Sequence, residues 1–174
     1  IECDRMGGIN LSQGICDLAV PTAVLQGAKA AIDNGINAYT RYDGLAELRV
    51  AISKKHKKFN SIDANPDTEI VVSAGTTGAL YCACLALLDP GDEVILFEPF
   101  YGYHVSTLIA TEAVPVYVRT DPPDWTFSVD QLEAVVTSKT RGIIINTPAN
   151  PSGKVFTQDE LQTIAAFAER HDLF

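Results

Sequence analysis

Three short stretches of the chain carry residue types suited to holding a small charged, planar molecule. The first is Ser73-Ala74-Gly75-Thr76-Thr77-Gly78-Ala79-Leu80. It follows a β-branched run, Glu69-Ile70-Val71-Val72, and opens a long apolar run at 79–88. That order reads as strand, glycine-rich turn and helix start. Free backbone N–H groups at the positive end of a helix dipole meet an anion such as a phosphate there. Gly75 and Gly78 let the backbone come close, and the Thr76 and Thr77 hydroxyls add hydrogen bonds. The same residues also suit a tight strand-to-helix turn with no ligand. A Walker loop is excluded, because no Lys follows the second glycine, and the dinucleotide glycine spacing is absent.

The second stretch is Glu98-Pro99-Phe100-Tyr101-Gly102-Tyr103. An aromatic ring held at a strand end stacks on a flat ligand, although three aromatics also pack on one another. The third is Asn146-Thr147-Pro148-Ala149-Asn150-Pro151-Ser152-Gly153. Two prolines and a glycine stiffen this loop, and an asparagine pointed inward can hold a phenolate oxygen. An anion cradle, a flat aromatic face and a directed amide together suit a planar phosphorylated heteroaromatic with a ring oxygen. Pyridoxal phosphate has those features; nucleotides are planar and phosphorylated as well.

These stretches need a scaffold that brings strand ends together. Strands are predicted at 70–73, 94–97, 114–119 and 142–146, alternating with helices. A helix is expected from Pro21-Thr22 to Asn34-Gly35, with Val24, Leu25, Ala28, Ala31 and Ile32 as its apolar stripe. The next carries Leu45, Leu48, Ile52 and Phe59, and its Lys54, Lys55, Lys57 and Lys58 read as a solvated C-terminal end. Residues 101–111 read as helical. Ser128 with Gln131, and Thr157 with Glu160, have the spacing of capping boxes opening two more helices. Apolar β-branched runs such as Ile143-Ile144-Ile145 between helices argue for an α/β fold, a largely parallel sheet covered on both faces. In such sheets ligands gather at the carboxyl ends of the strands, where all three stretches fall.

Bulk properties narrow the function classes. The 174 residues suffice for one domain and a piece of another. Net charge is −9, which disfavours nucleic acid and anionic membrane surfaces as partners. There is no run of about 18 apolar residues to span a bilayer. Ile1-Glu2-Cys3-Asp4-Arg5 has neither a basic start nor an apolar leader, and lacks an initiator Met, so a trimmed or partial product is expected. Cys3, Cys16, Cys82 and Cys84 fit neither a zinc site nor a redox pair. They are expected to be reduced and mostly buried in a cytoplasmic protein, and no metal is expected.

Taken together, the motifs resemble the class I and II aminotransferases, the fold-type I pyridoxal-phosphate enzymes. Asn146 through Gly153 is similar to the family's Asn-Pro-x-Asn-Pro-x-Gly signature. Tyr39 through Gly44, Leu48 and Arg49 is similar to its Tyr-x-x-x-x-Gly-x-x-x-Leu-Arg stretch. Leu88-Asp89-Pro90-Gly91-Asp92-Glu93-Val94 is similar to its turn before the second strand. Leu11-Ser12-Gln13-Gly14-Ile15-Cys16-Asp17 resembles the segment that closes over substrate. Within the family the chain is nearest in character to the kynurenine, methionine and aromatic aminotransferases.

The resemblance implies a truncated large domain, 39–174, preceded by a small-domain segment, 1–38. It implies that Gly75, Thr76 and Thr77 bind the phosphate of pyridoxal 5'-phosphate, that Tyr101 stacks on its ring and that Asn150 bonds the ring's 3' oxygen. Tyr39 would reach the cofactor phosphate of a neighbouring subunit, which implies a homodimer with shared active sites. Gly14 would lie at the substrate carboxylate. The substrates implied are amino acids and 2-oxo acids. The family's Schiff-base lysine has no counterpart among Lys29, Lys54, Lys55, Lys57, Lys58, Lys139 and Lys154, so this chain alone is expected to bind the cofactor weakly and to catalyse nothing. Two other functions fit the same residues: a carbon–sulfur lyase or other eliminating enzyme of this fold, and a non-catalytic module binding a phosphorylated ligand.

Overall fold

The fold is seen in a computed structural model that describes residues 2–10, 14 and 16–174. Most of the segment expected to close over substrate, Leu11-Ser12-Gln13 with Ile15, lies outside the described residues. Contacts divide the chain into two compact units, Ile1–Arg41 and Tyr42–Phe174.

The first unit holds α1 (Glu2–Arg5) and α2 (Thr22–Asp33). Pro21 stands at the N-cap of α2, where its fixed φ costs nothing, and Gly35 follows its end at φ +68°. The helix forms where its periodicity predicts, yet it has no buried residue, and Val24, Leu25 and Ile32 of its apolar stripe stand exposed.

The second unit runs α3 (Ala46–Asn60), α4 (Gly75–Leu87), β1 (Glu93–Glu98), α5 (Gly102–Ala110), β2 (Val114–Arg119), α6 (Val129–Glu133), β3 (Thr140–Ile144) and α7 (Gln158–Arg170). The three strands are parallel in the order β2-β1-β3. The central strand explains the layering. Val94, Ile95, Leu96 and Phe97 are all buried, and alternate residues point to opposite faces. Ile95 and Phe97 join Leu132 of α6 and Ile164 and Phe167 of α7 on one face. Val94 and Leu96 join Cys84 of α4 and Leu108 of α5 on the other. Each such side chain removed from water is worth about 1.5–3 kcal/mol. Both capping boxes form: the Ser128 and Thr157 hydroxyls accept from the Gln131 and Glu160 amides, and those side chains accept from the cap amides in return.

The structure departs from the sequence reading at several places. Residues 70–73 are irregular backbone and not a strand. A strand exists by pairing, and here Val72 N–H is tied to the Asp43 carbonyl at 3.1 Å while the Ser73 carbonyl accepts from Gly75 N–H within its own turn; no strand lies alongside among the described residues, and Val71 is exposed. The fourth predicted strand lies two residues earlier, as β3. Glu93 N–H donates to the Lys139 carbonyl and the Glu93 carboxylate accepts from Thr140, which draws Thr140 into the ladder, and pairing ends at Leu96 and Ile144. The predicted helix 101–111 loses its first residue because Tyr101 is the N-cap of α5, in extended backbone. Leu45, Leu48 and Phe59 around α3 are exposed, and the residue that α3 buries is Arg49. Among the cysteines Cys16 and Cys82 are exposed and Cys3 is half-buried. Only Cys84 is buried, because it alone faces the core between α4 and β1; burial pushes its thiol up and leaves it an inert apolar group.

Candidate active site

β1 and β3 run side by side and end at the same edge of the sheet, so the loops that follow them meet. From β1 the chain passes through Pro99 and Phe100 to Tyr101. Phe100 stacks on Tyr117 of β2, with ring centroids 5.1 Å apart and planes 22° apart. Tyr101 is held edge-on by Tyr103 at 5.1 Å and by His104 at 5.4 Å. From β3 the chain enters the loop 146–156, which closes on itself. The Asn146 carboxamide oxygen accepts from Asn150 N–H at 2.8 Å, Ala149 N–H donates to the Lys154 carbonyl at 2.8 Å, and Gly153 N–H donates to the Ala149 carbonyl at 2.7 Å. Gly153 sits at φ +74°, a conformation that side chains disfavour. Thr147 Oγ1 then accepts from Phe156 N–H, fixing the exit of the loop.

Between the two loops lies a cavity bordered by Tyr101, His104, Trp125, Asn146, Asn150 and Lys154, with Phe97 and Phe156 beneath. Its volume is about 30 Å³, and it is partly open to solvent. An aromatic ring and two carboxamides converge on it. Burial holds the His104 imidazole below its ordinary pKa, so at neutral pH it borders the cavity uncharged. The Lys154 ammonium is engaged. It bonds the Asp124 carbonyl at 3.1 Å and Glu160 Oε1 at 2.7 Å, with only 11% of the side chain exposed. Partial burial alone raises the Glu160 pKa; the bonds from Lys154 and from the Thr157 amide and hydroxyl outweigh it and bring the carboxyl below its ordinary value. Lys154 therefore braces the loop against α7 and offers no free amine.

The expected site residues divide into groups. Tyr101 and Asn150 come together at the cavity. Gly75, Thr76 and Thr77 do not border it. They form the first turn of α4, which has no side-chain cap, with Gly75 at φ +74°. Thr76 and Thr77 are exposed, and neither hydroxyl makes a hydrogen bond among the described residues. Thr77 borders a shallow depression shared with Tyr103 and Ser106 of α5, so the two places are linked through the Tyr103–Tyr101 ring contact. Gly14 and Tyr39 belong to the unit Ile1–Arg41, and both are exposed.

The sequence reading did not find His104, Trp125 or Lys154 at the cavity. His104 had a signal, since it stands one helical turn after Tyr101. Trp125 had another: it follows the 114–119 strand, and the strand-end rule applies to that loop as to the rest. Lys154 carried none beyond its place after the loop.

The donor set suits a planar, phosphorylated, oxygen-bearing ring: an aromatic face, a carboxamide and an uncapped helix start. Comparison with known proteins decides the family. The family model for aminotransferase class I and II matches residues 7–174.

The chain belongs to the class I and II aminotransferases. It is 41% identical to kynurenine–oxoglutarate transaminase 3 of Rattus norvegicus over 94% of this chain and 38% of that protein. It is 39% identical to aromatic-amino-acid aminotransferase 2 of Thermococcus litoralis over 96% of this chain and 43% of that one. Among solved structures, N-succinyldiaminopimelate aminotransferase of Mycobacterium tuberculosis superposes with a TM-score of 0.93 at 38% identity, covering 98% of this chain and 45% of that chain. This family member thus spans less than half the length of the relatives it matches. Its parallel sheet and flanking helices are part of the fold-type I transferase architecture.

Proposed function

We propose that this chain is the N-terminal part of an aminotransferase that moves an amino group between an amino acid and a 2-oxo acid with pyridoxal 5'-phosphate. The observation that carries this reading is that Tyr101 and Asn150, on separate strand-end loops, border one cavity in a chain of this family. When bound, the cofactor supplies an aldehyde and an electron sink. The chain's residues bind and orient it. Tyr101 lies against the ring, braced by Tyr103 and His104 so that its plane is set before binding. Asn150 donates to the ring's 3' oxygen from a loop locked by Asn146. Gly75, Thr76 and Thr77 take the phosphate on the uncapped start of α4.

The assignments for the first unit follow the family alone. Residues 1–38 belong to the small domain, with Gly14 at the substrate carboxylate, and 39–174 to the large domain. Tyr39 reaches the phosphate held by a second copy, and its full exposure in this chain agrees with a partner in trans. The covalent anchor of the cofactor is not among this chain's lysines; Lys154, the lysine that borders the cavity, is committed to Glu160. The working protein is a homodimer in the cytoplasm, and this chain alone is inactive.

The test is amino exchange by the whole protein of which this chain is part. Incubated with a panel of amino acids and 2-oxo acids, it should convert each substrate into its amino or oxo counterpart in equal amounts. Release of ammonia and pyruvate without exchange would contradict transamination.

A further inference from the structure

We infer that Arg49 is a positioning residue for the anion-binding turn at the start of α4, an inference that rests on reading this turn as the cradle of the cofactor phosphate. Arg49 is 2% exposed and is the residue that α3 buries. Its Nη1 donates to the Pro66 carbonyl at 2.5 Å and lies 3.4 Å from Asp43 Oδ2 and 3.6 Å from Asp67 Oδ1. Its Nε has no partner among the described residues. A guanidinium withdrawn from water and left short of one bond is kept for what it holds together. What it holds is the junction of two loops, 42–44 before α3 and 65–67 after it.

That junction determines where 70–73 can lie. No strand ladder holds this run among the described residues. It is tied by Val72 N–H to the Asp43 carbonyl at 3.1 Å. Gly44, at φ +96°, lies against Val72 so closely that an added Cβ would stand 2.6 Å from the valine Cβ and Cγ2. Asp43 and Gly44 thus form the surface on which Val72 rests, and Nη1 of Arg49 pairs with the Asp43 carboxylate. Three residues after Val72 the chain turns at Gly75 and α4 begins, with the Thr76 and Thr77 hydroxyls unbonded among the described residues. The attraction of a helix start for an anion fades within its first turn, so a small shift of 70–73 re-aims the amides that bind it. Lysine is not an equivalent replacement, because its ammonium rides on a flexible stem without the planar guanidinium that holds Nη1 between the Pro66 carbonyl and the Asp43 carboxylate.

The test compares pyridoxal phosphate with pyridoxal, which lacks the phosphate, on the cofactor-free full-length protein. Wild type, Arg49→Lys and Gly44→Ala are titrated with each ligand, and their thermal midpoints are recorded. Wild type should prefer the phosphorylated form. Each variant should lose about ten-fold or more of that preference, the factor carried by one bond to a charged group, while its affinity for pyridoxal stays the same. A variant that keeps the wild-type preference overturns the inference, as does equal weakening of both ligands, which marks general damage. A wild type without any preference for the phosphorylated form overturns the cradle reading itself.

Discussion

Asn150 and Tyr101 lie 49 residues apart in sequence (150 − 101) and border one cavity because β1 and β3 are neighbours. The strand-end rule brings them together, and their residue types were legible before the fold was. Replacing Asn150 by Ala removes the donor to the ring oxygen. In the full-length protein the pH midpoint of the bound cofactor's absorbance change should then rise; an unchanged titration contradicts the assignment. His104 gives a second prediction. Burial depresses its folded pKa below the ordinary 6.5, so the unfolded chain takes up the proton first. Stability is intact above about pH 6.5 and declines as pH falls through the folded midpoint. His104→Gln removes this contribution, and thermal melts across that window should show a shallower decline than wild type. Parallel curves would show that His104 contributes nothing there. The side chains the sequence hid are those whose role depends on a neighbour: the Lys154 ammonium looks free until Glu160 and the Asp124 carbonyl are seen beside it.

At the scale of elements, local rules predicted what local rules govern. The spacing of Thr157 and Glu160 named the start of α7, and the capping box is present. Thr157→Ala should cost about 0.5–2 kcal/mol, because one helix amide loses its acceptor while Glu160 keeps its own bond. A fall in Tm of roughly 2–4 °C for a loss near the middle of that range is the expected readout, and an unchanged Tm would mean the cap contributes nothing. Residues 70–73 have strand composition and do not form a strand, because strand character is conferred by a neighbour and not by Ile70, Val71 and Val72 themselves. The apolar stripe of α2 failed in another way. Its 3.6-residue period predicted the helix correctly, but no period says which surface covers it, and Val24, Leu25 and Ile32 are exposed.

For the whole molecule, two apolar cores on opposite faces of one buried strand hold three parallel strand ends in register. The cavity with Tyr101 and Asn150 and the start of α4 with Thr76 and Thr77 are separate features of that end, joined through Tyr103. The account requires one coenzyme to bridge them. The direct measurement is electron density for the full-length protein crystallised with pyridoxal 5'-phosphate. The account predicts the ring against Tyr101, its 3' oxygen on the Asn150 carboxamide and its phosphate on the amides of Gly75, Thr76 and Thr77. Density for the ring at Tyr101 with the phosphate directed away from α4, or a coenzyme bound elsewhere, would contradict it.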